Sequence, residues 1–492
     1  MTRVTIRQGT LEGADVDGLH FFRNIPYAAP PFGANRFRPP QPPASWDGVR
    51  DATRPGPGAP QPKDESPLAA LYGVPETGED CLTLEVWTPD PGAAGLPVMV
   101  HIHGGGYMSG SGSVPGYSGE HFARDGVVHV GINYRLGIDG FLYFDGEAEN
   151  LGLQDQTAAL KWLNENISAF GGDPAQVTIF GQSGGAVSVM LHLAMPASQG
   201  LFAGAIAQSG CSLSSVVPSE ALRITKQIAR KLGVPATPDG FRNVSIARTE
   251  SSAQSAMVRY ALGLLKGDPR ALLLSPYRAV EGTPTLPKSP LASVGDFASV
   301  PLLTGTLRNE SAPLINGISE AAPIAAPFLR RGLRRALRMD AALARGYRDG
   351  PRHITGNSPL VEAAWSDWGF RIPTIRLVEK RPEPSWLYEF RWQNPALPAD
   401  SASFHGLENP FARDDLAAIM ALGEPAVELF GEDPPEQLAR DMHGAFVRFA
   451  KTGNPGWPKY QSEKRETMVF NSTSGVEDDA AGLEREAWAG RR

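Results

Sequence analysis

The 492-residue chain predicts an α/β fold in which a mostly parallel central sheet is flanked by helices. Three observations carry this. Short apolar runs recur through the first half: PVMVHI (97–102), VVHVGINY (127–134), VTIF (177–180) and GAIAQSG (204–210). Between them lie segments of helical spacing, DQTAALKWLNENISAF (155–170) and the apolar GAVSVMLHLAM (185–195). The strand runs are apolar throughout rather than alternating, the pattern of strands buried on both faces.

The elements follow in order. The first 90 residues mix strand-like pieces (Val4–Ile6, Leu19–Phe22, Leu82–Trp87) with turns, and residues 54–67 are a Pro/Gly-rich polar loop. The helical run 155–170 stops at Gly171-Gly172-Asp173-Pro174, a turn sequence. Residues 220–380 are more helical and less regular; within them PLLTG (301–305) reads as a strand and 328–348 as one amphipathic helix. That helix turns Leu329, Leu333 and Leu337 inward and presents Arg330, Arg331, Arg334, Arg335 and Arg338, a solvated face or one that meets an anionic surface. Strand character returns at WLYEFRW (386–392) and TMVF (467–470). The expected organisation is one unit over 1–492. Its core is drawn from about 1–220, 280–315 and 380–492, with helical insertions at about 221–279 and 316–379.

Composition bounds the partners. Apolar residues make up 41% of the chain, enough for a large core, while Gly 54 and Pro 44 imply many turns. A net charge of −7 makes a poor polyanion binder, so nucleic acid is not expected. No apolar run reaches the ~18 residues of a membrane span. The opening MTRVTIRQGTLEG lacks the basic-then-apolar plan of a secretory signal, and Cys81 and Cys211 allow one bridge at most. Both points lead to the expectation of a cytoplasmic protein.

Gly181-Gln182-Ser183-Gly184-Gly185 is the single Gly-x-Ser-x-Gly of the chain. Its context gives it weight: a strand precedes it and an apolar helix follows, as a nucleophile elbow requires. Such a turn lifts the serine hydroxyl above the sheet and sets it at a helix N-terminus, which favours developing negative charge. The bland alternative is a glycine-rich turn with an ordinary serine.

A second glycine cluster, His103-Gly104-Gly105-Gly106-Tyr107, follows the strand 97–102. Backbone N–H groups preorganised around a developing oxyanion are worth about 3 kcal/mol each in measured cases, and glycines let the main chain come close. Gly105, Gly106 and Gly184 are the candidate donors. Phosphate cradling is the weaker reading, because neither GxGxxG nor GxxxxGK is present. A metal held by His101 and His103 is also weaker, since no third or fourth ligand is evident. Tyr107 and Met108 either line a substrate pocket or simply pack the loop.

In the α/β-hydrolase order the base comes after the serine and the acid. His101 and His129 fall in strand patterns, His192 and His443 in helix patterns, and His20 and His121 precede the elbow. His405, in the polar loop SASFHGLENP beyond a strand, is favoured over His353 in PRHITGNS. Among acids, Glu310 lies just past the strand 301–305. Asp296 precedes that strand and Asp349 lies beyond a helix, so position alone favours Glu310 without excluding them.

Taken together these segments resemble the type-B carboxylesterase family, the α/β-hydrolases that include bacterial p-nitrobenzyl esterases and the cholinesterases. The resemblance rests on FRNIPYAAPPFGANRFRPPQP (22–42), EDCLTLEVWTP (79–89), HIHGGGY (101–107), INYRLG (132–137), the long stretch 150–189 and FAKTGNP (449–455). It implies Ser183 as nucleophile, Glu310 as acid and His405 as base. It further implies hydrolysis of a small carboxylic ester through an acyl-enzyme, with no metal or organic cofactor. Amide or carbamate hydrolysis would use the same triad, and the family also holds non-catalytic cholinesterase-like adhesion proteins, which lack triad members. The chain departs from the family pattern at the elbow, where Gln182 stands for Glu and Gly184 for Ala, and around the acid, in Arg308-Asn309-Glu310-Ser311. No cysteine precedes Cys81, so the disulfide that animal members close there has no partner.

Overall fold

The strands of the central sheet are β1 (Thr2–Ile6), β2 (Gly9–Val16), β3 (Leu19–Pro26), β4 (Thr83–Thr88), β5 (Leu96–Ile102), β6 (Val128–Ile132), β7 (Gly172–Gln182), β8 (Gly204–Gln208), β9 (Leu302–Leu307), β10 (Ser385–Phe390), β11 (Glu466–Phe470) and β12 (Gly475–Asp478). This is a computed structural model, and it describes residues 1–62, 73, 76–210, 215–273, 275–312, 326–397, 403–480 and 482–491. The sheet order is β1-β2-β3-β4-β6-β5-β7-β8-β9-β10-β11-β12, and a thirteenth short strand, Val49–Asp51, pairs with β2 off this path. From β6 to β11 every neighbouring pair is parallel, while β1 to β4, the β4–β6 junction and the final β11–β12 hairpin are antiparallel.

Alternation along the parallel strands builds two cores. Val98, Val100, Ile102, Val177, Ile179, Ala205 and Ala207 face one layer. Met99, Phe180, Ile206, Leu303 and Tyr388 face the other. Both faces are therefore dry, which is why the runs read as continuously apolar. Helices α1 (Leu151–Asn166) and α2 (Gly184–Ala194) supply Leu153, Leu160, Leu163, Val189 and Leu191 to the first layer. In the second half the longer helices are α3 (Pro218–Leu232), α4 (Ile246–Lys266), α5 (Ala326–Ala336), α6 (Ala341–Asp349), α7 (Asn357–Ser366), α8 (Ile372–Lys380) and α9 (Glu436–Thr452). α9 closes the second layer with Leu438, Met442, Phe446 and Phe449.

The single helix expected over 328–348 is two helices, α5 and α6. The chain breaks at Arg338, in the left-handed region (φ 52°), and restarts where the Asp340 carboxylate accepts the Leu343 N–H at 2.8 Å. That is an N-cap, and its satisfied donor favours a fresh start over continuation. Leu329, Leu333 and Leu337 are buried as expected. The strands β2 and β12 were not foreseen: β2 is rich in glycine and acid, and all of β12 is exposed, so neither shows an apolar run. Of the loop 54–67, residues 63–67 lie outside the described residues, as does Cys211. Cys81 is a buried free thiol. Among the described residues no helix is long and apolar enough to cross a membrane.

Topology locates the site. β6 lies on one side of β5 and β7 on the other, so the chain direction across the sheet reverses at β5. At such a switch point the loops leaving the two strands diverge and open a crevice at their carboxyl ends. The loop after β5 begins at His103, and the residue after β7 is Ser183.

Candidate active site

Ser183 joins β7 directly to α2. Its φ of 57° and ψ of −122° put a non-glycine residue in a region that favours glycine, and its N–H donates to Gln208 O at 2.9 Å. The turn is possible because its flanking residues lack side chains. A Cβ on Gly185 would lie 2.0 Å from Ile102 O, and one on Gly181 would lie 2.6 Å from the same oxygen. The helix thus packs on the strand end at backbone distance, and the serine projects from its N-terminus.

The loop after β5 wraps the same corner. Gly105 has φ 100°, and its carbonyl accepts from the N–H groups of Met108 (2.9 Å) and Ser109 (3.2 Å). A Cβ on Gly184 would lie 3.0 Å from Gly106 N, so the amides of Gly106 and Gly184 border one small space. Among the described residues none of the amides of Gly105, Gly106 and Gly184 has a hydrogen-bond acceptor. The loop is braced from behind: Ser275 Oγ donates to Gly106 O (3.0 Å), Gly137 N donates to Tyr107 O (2.7 Å), and Tyr134 Oη donates to His103 O (2.8 Å). Tyr107 is buried, its ring stacked on Phe141 at 4.0 Å and its hydroxyl paired with Ser188 Oγ. Met108 lines a small cavity with Leu136, Asp139, Ile246, Glu250 and Tyr277.

Glu310 and His405 are brought together from loops 95 residues apart. His405 Nδ1 donates to Glu310 Oε2 at 2.6 Å, and Glu310 Oε1 accepts the Leu307 N–H at 2.8 Å. Glu310 is 1% exposed, whereas the His405 side chain is 25% exposed. The other ring nitrogen, Nε2, lies 3.1 Å from Gln182 Nε2, one residue before Ser183. The other carboxylates weighed for the acid's role are elsewhere: Asp296 pairs with Lys288 on the surface, and Asp349 ends α6.

The remaining histidines have other surroundings. His353 is exposed in the turn after α6. His101 packs against Tyr117 and Phe180, and His103 bonds Gly104 O and stacks on Tyr134 at 4.3 Å. Burial holds both rings well below the usual imidazole range, His103 at about 4. His192 bridges Ser198 and Gln156, and His443 bridges Ala412 O and Asp125. Among the described residues no group of three or more His, Cys, Asp or Glu is placed to hold a metal.

Sequence reasoning missed two neighbours of this corner. Phe370 sets its ring 5.1 Å from His405, carried on a π-turn (Asp367–Arg371) between α7 and α8. No periodicity signals such a turn, although π-turns are frequent at functional sites. Glu408, three residues after His405, is fully buried; burial first and then the charge of Glu310 push its carboxyl well above the usual range. Its signal was its place in HGLEN, a short polar run that gives no sign of burial.

The carboxylesterase family model matches residues 1–488. The chain belongs to this family. It is a serine carboxylic ester hydrolase with the α/β-hydrolase fold. Among similar proteins, the para-nitrobenzyl esterase of Bacillus subtilis is 34% identical over 98% of this chain and 97% of its own. The phenmedipham hydrolase of Pseudarthrobacter oxydans is 33% identical over 97% of this chain and 95% of its own. Among solved structures, a Geobacillus stearothermophilus carboxylesterase superposes with a TM-score of 0.82 at 33% identity, covering 99% of this chain and all of that one.

Proposed function

We propose that this carboxylesterase cleaves small carboxylic esters with a Ser183–His405–Glu310 triad through an acyl-enzyme. The observation that carries the reading is the 2.6 Å bond from His405 Nδ1 to Glu310 Oε2, with Nε2 turned toward the elbow. A carboxylate at Nδ1 fixes the tautomer that leaves Nε2 able to accept a proton. Ser183 Oγ then adds to the ester carbonyl as its proton passes to Nε2. The negative oxygen is received by the N–H groups of Gly105, Gly106 and Gly184, whose approach without side chains supports the assignment. Collapse breaks the bond to the alcohol oxygen, which leaves with the proton from Nε2. Water attacks the acyl-enzyme by the same route, with His405 as base.

The segments 221–279 and 316–379 are read as insertions over the carboxyl edge of the core. Ser275 against Gly106 and Phe370 against His405 support this, since both reach the site from those ranges or their border. Met108 is the candidate pocket residue, and the buried Tyr107 is read as loop packing.

The test is a panel of p-nitrophenyl esters, carbamates and anilides, with Ser183→Ala alongside and a fluorophosphonate as label. Ester turnover is expected, with adduct on Ser183 alone and a loss of about 10⁶ in kcat for the variant. Adduct on another residue, or near-normal turnover by Ser183→Ala, overturns the triad.

A further inference from the structure

Gln182 is 7% exposed, and its carboxamide lies between the two halves of the site. Its nitrogen is 3.1 Å from His405 Nε2, and its oxygen lies against Gly104 of the oxyanion loop, 3.3 Å from where a Cβ on that glycine would sit. With Nδ1 donating to Glu310, the neutral ring presents a lone pair at Nε2, and an amide N–H donates into it. The hydrogen bond at the base nitrogen in this structure thus comes from Gln182; Ser183 Oγ makes none with His405. The arrangement cannot persist through a turnover. Once Nε2 has taken the serine proton it is itself a donor, and an N–H of Gln182 facing it would set donor against donor. Rotating the carboxamide by half a turn brings Oε1 to Nε2 and restores a bond, now to the charged ring.

We propose that Gln182 is a two-state positioning residue for His405. Its amide N–H holds the neutral ring in the resting enzyme, and its amide oxygen holds the protonated ring after the proton has moved. Gln182 neither gains nor loses a proton in this cycle; it exchanges one hydrogen-bond role for the other. A carboxylate at this position could do only half the task. It has no N–H for the resting ring, and its charge would favour the imidazolium and hold the base protonated to higher pH. The carboxamide can keep the ring in place in both of its protonation states.

The proposal rests on the triad reading, and its test separates the two. Wild type, Gln182→Glu and Gln182→Met are compared by kcat, KM and the pH dependence of kcat/KM on one p-nitrophenyl ester, with Tm as the folding control. Gln182→Glu is expected to move the acid limb of kcat/KM up by about one pH unit, a loss of about fivefold at the wild-type half-activity pH. Gln182→Met, which fills the space without either hydrogen bond, is expected to lower kcat about tenfold with KM within twofold. If Gln182→Met does not fold, the near-isosteric Gln182→Glu still decides the matter. An acid limb unmoved in Gln182→Glu overturns the proposal, as does an unchanged kcat in a folded Gln182→Met. Fluorophosphonate labelling of the wild type reads the triad separately: adduct on Ser183 with either of those outcomes sinks the Gln182 role alone, whereas no adduct on Ser183 sinks the triad reading.

Discussion

Asn309 and Phe404 are joined as a parallel bridge, with Asn309 N donating to Ser403 O at 2.9 Å. The bridge lies two residues past β9 and ties that strand's end to the loop after β10, and the residues that follow its two members are Glu310 and His405. The proposed acid and base are thus set side by side by main-chain hydrogen bonding as well as by their own side-chain bond. Glu310→Gln keeps the shape but presents a neutral amide to Nδ1, so the imidazole loses the partner that orients and stabilises it. The expected loss is about 10⁴ in kcat with little change in Tm. His405→Ala should be comparably inactive. The exposed His353→Ala should turn over like wild type, and an inactive His353→Ala alongside an active His405→Ala would sink the base assignment.

The strained elbow gives a second expectation. Ser183 holds φ 57° and ψ −122°, a conformation that costs a side-chain-bearing residue of order 1–3 kcal/mol. Glycine adopts it without a Cβ penalty. Ser183→Gly and Ser183→Ala should be equally inactive, but the glycine variant should be about 1 kcal/mol more stable than the alanine one. Denaturant midpoints with equal m-values would read this directly, and a glycine variant no more stable than alanine would mean that the elbow stores no strain.

These two cases show what the sequence made legible. The parallel strands announced themselves because both their faces are buried, as Val98 to Ile102 illustrate, and Ser183 because its turn demands Gly181 and Gly185. Glu310 was favoured by its place after a strand and by the family resemblance, since nothing in Arg308-Asn309-Glu310-Ser311 itself reports a partner 95 residues away. Phe370 was invisible because its approach to His405 depends on a π-turn, and the break at Arg338 because a single Asp340 cap outweighs a continuous helical pattern. What escaped the reading was set by long-range packing or by one local hydrogen bond.

His129 bears on acid stability. Its ring stacks on Phe122 at 5.4 Å, fully buried, and neither ring nitrogen has a hydrogen-bond partner among the described residues. Burial holds it well below the usual imidazole value of 6.5, and the nearby Arg413 charge adds to this. Below that value the unfolded chain binds a proton that the folded chain refuses. The stability contributed by the neutral ring is therefore present above about pH 6.5 and is lost as pH falls beneath it. His129→Leu should match wild type within about 1 kcal/mol at pH 8 and surpass it at pH 5. A variant whose advantage does not grow on acidification would contradict this account.

Glu362 works in the opposite direction and lies behind the acid loop. Asn309 Nδ2 donates to its Oε2 at 3.1 Å, and Ser366 Oγ donates to its Oε1 at 2.6 Å, so this carboxyl anchors the residue next to Glu310. Burial pushes it up from 4.5 to about 7, outweighing the help of those two bonds. Between these values the unfolded chain has lost the proton while the folded one keeps it. The stability tied to Glu362 is therefore full below about pH 4.5, falls as pH rises to about 7, and does not change further above that. Glu362→Gln removes the ionisation while keeping an oxygen for Ser366, and a half-turn of the Asn309 carboxamide presents its oxygen to the new Nε2–H. The variant should gain on wild type by roughly 3 kcal/mol between pH 4.5 and 7.5, from the shift in the folded value. Its esterase activity near pH 7 should stay within a few-fold of wild type, because the Asn309–Phe404 bridge is main-chain. Thermal melts at the two pH values read the first expectation and p-nitrophenyl ester turnover the second. A stability gap that stays constant with pH would show that Glu362 is already ionised in the folded protein, held by Asn309 and Ser366 more strongly than burial opposes them.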